Sequence, residues 1–154
     1  MTNKPVTKRF DKALYAANDP AKEIVLEFLQ SMNTTSHPWA VGADRYGPDL
    51  AGPDGLLVEV EVKQHWKEKH GLVFPYDTLQ IPGRKRKWLA LNMEFWILRA
   101  DLGAAIIIPT SILRESAVVA VVPNKYVWKG EEFLTIRTDL CRITSLLPGV
   151  GTNV

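Results

Sequence analysis

The chain has one cysteine, Cys141, in 154 residues. A lone thiol makes neither an internal disulfide nor a cysteine zinc cluster. Nothing beside it marks a nucleophile, so it reads as a packed, neutral thiol. An excess of one charge is also missing. Nineteen Lys and Arg against 17 Asp and Glu leave a formal net charge of +2. That balance neither demands nor excludes nucleic acid, and the distribution of charge has to decide. Long apolar runs are absent too. The stretches Ile106–Ile108 and Ala117–Val122 are far too short to span a bilayer. Met1 to Phe10 is polar and basic with no apolar segment behind it, unlike a secretory leader. The expectation is an intracellular, cytoplasmic protein with no membrane partner. Internal repeats and low-complexity linkers are lacking. His65 and His70 have no partners at metal-ligand spacing and read as surface residues.

What is present is an ordinary globular composition, 46% apolar. The length fits one domain over residues 1–154, with a basic arm over 1–17 and a loose tail over 148–154. Asn18 or Asp19 can cap a helix with Pro20 at its first position. Ile24, Val25, Phe28 and Leu29 then form an apolar stripe at helical spacing. Asn33 to Pro38 reads as loop and Trp39 to Val41 as a first strand. Val73–Phe74 reads as a short edge strand, and the pattern turns helical from Tyr76. Past Pro82, a helix runs from Arg84 to Leu91. Phe95–Leu98, Ala104–Ile108 and Val118–Val122 read as strands, with a short helix at Ser111–Arg114. A last hairpin is expected around Lys129–Gly130, between Tyr126–Trp128 and Phe133–Ile136. Helix, hairpin, helix and further strands together predict an α/β or α+β sheet flanked by helices.

The chemistry concentrates on one hairpin. Along Leu56 to Lys63 side chains alternate between faces. Leu56, Val58, Val60 and Val62 form an apolar face, and Leu57, Glu59, Glu61 and Lys63 form the other. Pro53–Asp54–Gly55 is a turn with a mechanism: proline presets the first position, and glycine takes the left-handed one. A three-residue loop there sets Leu50 opposite Val58 and Asp49 opposite Glu59. Asp49 then shares a face with Glu59 and has Glu61 as its diagonal neighbour. Three carboxylates so close repel unless a cation sits among them. Oxygen donors favour a hard ion such as Mg²⁺ or Mn²⁺. A lysine beside that ion can position or deprotonate water, or offset charge on a phosphate.

Gly47–Pro48–Asp49–Leu50 followed by Val60–Glu61–Val62–Lys63 resembles the signature of the PD-(D/E)xK nuclease superfamily. The layout is most similar to archaeal-type Holliday junction resolvases, and small phage-encoded nucleases of the superfamily fit as well. The resemblance covers about residues 20 to 100. It implies a restriction-endonuclease-like mixed sheet flanked by helices and a homodimer that hydrolyses DNA with Mg²⁺ or Mn²⁺. By the same resemblance Asp49 and Glu61 are metal-binding acids and Lys63 is the catalytic lysine. Glu23, with Glu27 as its alternative, is the helix acid, the Val62 carbonyl is a further ligand, and Gln80 is a downstream glutamine that opens a helix. Ser36 stands in the loop that carries a serine in those enzymes. Arg84–Lys85–Arg86–Lys87 is a dense basic run that would meet phosphates, extended by Lys67 and Lys69. The expected substrate is a four-way DNA junction. The alternatives are a restriction-like or phage recombination and repair nuclease acting on linear or flapped DNA, and a catalytically inactive DNA-binding module of the same fold.

Overall fold

The computed structural model describes residues 12–32, 39–42, 47–123 and 129–147. The N-terminal arm before Lys12, Ser36, Tyr126–Trp128 and the tail from Pro148 lie outside the described residues. Helix α1 spans Lys12–Ser31. It begins well before the Asn18–Asp19 cap expected from the sequence, and Pro20 stands inside it. Lys12, Ala13, Leu14, Ala16 and Ala17, ahead of the Asn18–Asp19 pair, are strong helix formers. They carry the helix across a position where proline removes one backbone bond.

Strands β1 (Ala40–Val41), β2 (Leu50–Ala51) and β3 (Leu57–Lys63) form an antiparallel meander. A single 3₁₀ turn, Pro53–Gly55, closes the hairpin, and Gly55 sits at φ 78°. Leu50 pairs with Val58 and Gly52 N donates to Leu56 O, which is the register the turn chemistry dictates. Gly52 is required for another reason: a Cβ there would stand 2.4 to 2.6 Å from the Trp39 ring.

β4 (Thr78–Pro82) occupies the segment expected to turn helical. Leu79 and Ile81 are buried while their neighbours are not, a two-residue period too short to outweigh the helical reading. Val73–Phe74 forms no strand. A 3₁₀ helix over Gly83–Ala90 leads to β5 (Met93–Arg99) and β6 (Ala104–Pro109). α2 (Thr110–Ser116), β7 (Val118–Val122), β8 (Glu131–Arg137) and β9 (Arg142–Ser145) follow. β8 pairs antiparallel with β7, Val122 opposite Glu131. β9 is a four-residue strand that the sequence pattern did not reveal.

The strands make a six-stranded mixed sheet in the order β1-β2-β3-β5-β6-β9 and a three-stranded sheet in the order β4-β8-β7. Two cores follow from the alternation on β3. Val58, Val60 and Val62 face α1, where Ala21 and Val25, one turn apart, are fully buried. Each of these valines contributes up to about 1.5–3 kcal/mol on full burial. The opposite face of β5 and β6 packs against α2 and the three-stranded sheet, with Phe95, Ile97, Ile106, Leu79 and Ile136 at its centre. β3 and β5 run parallel, and a parallel pair needs a crossover. That crossover contains β4 and the 3₁₀ helix, and it lays both over the polar face of β3. No helix among the described residues is long and apolar enough to cross a membrane.

Candidate active site

β2 begins at Leu50, so the ladder opens just where Asp49 arrives. Asp49 fills the gap: its Oδ2 accepts from Val60 N at 2.8 Å. Its Oδ1 meets Lys22 Nζ of α1 at 2.9 Å. The Asp49 carboxylate also stands close enough to Glu59 to raise its pKa. The next residue on that face of β3, Glu61, pairs with Lys63, Oε1 to Nζ at 3.2 Å. Lys63 Nζ also donates to the Gln80 carbonyl of β4 at 3.1 Å.

Glu59 is buried, and its Oε2 lies 3.0 Å from Lys85 Nζ, which is equally buried. Burial pushes the Glu59 carboxyl up to about 7; Lys85 opposes this and Asp49 adds to it. Lys85 arrives there through the period of its helix. At three residues per turn, positions 85 and 88 share one side and positions 84, 87 and 90 the other. Lys85 is buried and Trp88 half-buried, whereas Arg84, Lys87 and Ala90 are exposed. The basic run is therefore divided. Lys85 belongs to the site, Arg86 pairs with Glu132 at 3.1 Å, and Arg84 and Lys87 face outward.

Each of the three hairpin carboxylates is thus paired with a lysine, from α1, β3 and the 3₁₀ helix in turn. The repulsion that the sequence reading assigned to a divalent ion is offset here by ammonium groups. Two acceptors are still left over. Glu59 Oε1 and Glu61 Oε2 are buried with no hydrogen-bond donor among the described residues. A buried carboxylate oxygen without a donor carries a desolvation cost of at least about 1–3 kcal/mol. A hard cation is one partner that removes it. Among the described residues no group of three or more His, Cys, Asp or Glu side chains is gathered closely enough to hold an ion. Mg²⁺ does not require one, because it keeps several waters and binds through one or two carboxylates plus phosphate. Asp49, Glu61 and the Val62 carbonyl are a donor set of the right chemistry.

The remaining residues singled out in the sequence are spread more widely. Glu23 and Glu27 are exposed on α1, and the residue of that helix that reaches Asp49 is Lys22. Gln80 lies in mid-strand rather than at a helix start, and it enters the site through its backbone. Lys67 and Lys69 are exposed around a 3₁₀ turn, where His70 Nδ1 accepts from Lys67 N at 2.9 Å. Sequence reasoning missed the roles of Lys22 and Lys85. The three-residue spacing from Lys85 to Trp88 was the available signal for the second, and nothing distinguished Lys22 from other helix lysines. Burial also pushes the Cys141 thiol up to about 11, which leaves it protonated and inert at neutral pH. No protein-family model matches the chain, and no curated protein matches it significantly.

Proposed function

We propose that this chain is a divalent-metal-dependent DNA endonuclease whose site is Asp49, Glu61 and Lys63. The observation that carries the reading is the hairpin register. It sets Asp49 beside Glu59 at the end of β2 and leaves an unpartnered, buried Glu61 oxygen next to Lys63. Asp49, Glu61 and the Val62 carbonyl would hold Mg²⁺ or Mn²⁺. The bound ion supplies polarisation of a phosphoryl oxygen and a more acidic water. Lys63, anchored by Gln80 O and Glu61, would orient an attacking water or offset charge growing on the phosphate. Val60 N and Lys22 fix the Asp49 carboxylate, so its direction is set before any ligand arrives.

The preferred substrate is a four-way junction cut as a two-fold homodimer, because resolution requires two symmetric incisions. A labelled junction beside matched linear and flapped duplexes tests this. Paired, metal-dependent nicks at the junction are expected. Equal cutting of linear duplex points instead to a restriction-like or recombination nuclease. A second reading has its own support: each carboxylate already holds a lysine, as in a DNA-binding module that has dispensed with metal. Tight binding without cleavage in Mg²⁺ and Mn²⁺ supports that reading.

A further inference from the structure

A cavity of about 300 Å³ opens beside Lys63, lined also by His65, Phe74, Tyr76, Thr78 and Gln80. Its aromatic wall is a ladder built outward from the core. Trp66 is fully buried, Phe74 stands edge-on to it at 5.7 Å, and Tyr76 stands edge-on to Phe74 at 5.7 Å. Tyr76 is 55% exposed. Its backbone is nevertheless pinned: Thr138 N donates to Asp77 O at 2.9 Å, and the single Thr138 Oγ1 proton is shared between the Tyr76 and Asp77 carbonyls, each 2.9 Å away. The loop before it is tied to β5 by Arg99, which donates to Gly71 O at 2.8 Å. Between these anchors Leu72 and Val73 are 45% and 69% exposed.

Tyr76 thus presents an exposed aromatic ring on a fixed backbone. Apolar tips next to it are of the kind that wedge between base steps. Thr78 and Gln80 offer a hydroxyl and an amide to the edge of a planar heterocycle, and Lys63 at the rim carries the charge suited to the phosphate attached to it. We propose that this cavity receives an unpaired nucleobase, stacked on Tyr76, from the nucleotide adjoining the phosphate at Lys63. The pocket then selects DNA in which a base is already free, as in a flap or a single strand, over continuous duplex. The inference rests on the DNA reading of the site, though not on cleavage.

The test measures binding in Ca²⁺, without turnover, by fluorescence anisotropy on a single-stranded flap, a single strand and a blunt duplex. The wild-type chain is expected to prefer DNA with unpaired bases. Tyr76→Ala should lose roughly tenfold on those substrates, the worth of one stacked base, and little on blunt duplex. Tyr76→Phe should restore the preference, since stacking needs the ring and not the hydroxyl. 2-Aminopurine placed at the unpaired base of the flap should be quenched on binding by the wild type and not by Tyr76→Ala. Equal loss on all three DNAs, or no loss on any, overturns the pocket even if the enzyme cleaves. Selective loss in a chain that never cleaves leaves the pocket standing and removes the nuclease reading. A chain that binds no DNA ends both.

Discussion

Lys85 Nζ lies 3.0 Å from Glu59 Oε2 with both side chains about nine-tenths buried, so a residue from the most basic stretch of the chain sits inside the site. Breaking a buried pair from one side strands a charge, whereas replacing both partners need not. Lys85→Met is expected to destabilise the protein by about 3 kcal/mol, with Lys85→Met combined with Glu59→Leu recovering most of that loss. Urea unfolding of the single and double variants measures it. Equal destabilisation by the single and the double contradicts the pairing.

Glu59 also sets a pH dependence. Its carboxyl is raised from 4.5 to about 7 in the folded protein, so the native state holds a proton that the unfolded chain releases. The folded state therefore gains from this group below about pH 4.5 and loses that gain as pH rises toward 7. At most the effect is on the order of 3 kcal/mol. In EDTA, the stability difference between pH 5 and pH 8 should shrink in Glu59→Gln. An unchanged difference assigns the pH dependence elsewhere.

The register of the hairpin was legible in the sequence because Pro53–Asp54–Gly55 allows few geometries and Gly55 takes the one that needs a positive φ. The alternation on β3 was legible for the same kind of reason: a period of two over eight residues has no helical reading. What the polar face meets was not legible. A face of Glu59, Glu61 and Lys63 reads as half-solvated, yet the crossover between two parallel strands folds over it and brings Lys85 and Gln80 O to it. The strand Thr78–Pro82 was hidden because five residues carry too little periodicity to compete with a helical start at Tyr76. Pro20 misled in a different way. As a start signal it is sound, but helix formers on its N-terminal side outweighed one lost hydrogen bond.

The division of the basic run has a consequence for salt dependence. Arg84 and Lys87 share the outward side of their 3₁₀ helix, while Lys85 points inward. Replacing Arg84 and Lys87 with Gln should flatten the slope of log affinity against log salt by roughly 2 if both meet phosphates. Replacing Lys85 should lower stability and leave the slope alone. Anisotropy titrations at several salt concentrations separate the two. An unchanged slope in the Arg84, Lys87 double variant removes that face from the DNA interface.

The carboxylates should be separable from DNA binding. Asp49→Ala and Glu61→Ala are each expected to reduce cleavage by about 100-fold or more. Each should also weaken Mn²⁺ binding in calorimetry while keeping affinity for DNA. Glu23→Ala, on the exposed side of α1, should leave Mn²⁺ binding close to that of the wild type. Loss of Mn²⁺ binding in Glu23→Ala would return the helix acid to the metal site.

The most direct measurement is turnover of a labelled four-way junction by the wild-type chain and by Lys63→Ala, across a Mg²⁺ titration and with EDTA as the blank. Cleavage by the wild type that rises with Mg²⁺, vanishes in EDTA and is lost in Lys63→Ala, with DNA affinity retained, is the expected result. Undiminished turnover in Lys63→Ala, or cleavage indifferent to EDTA, contradicts it.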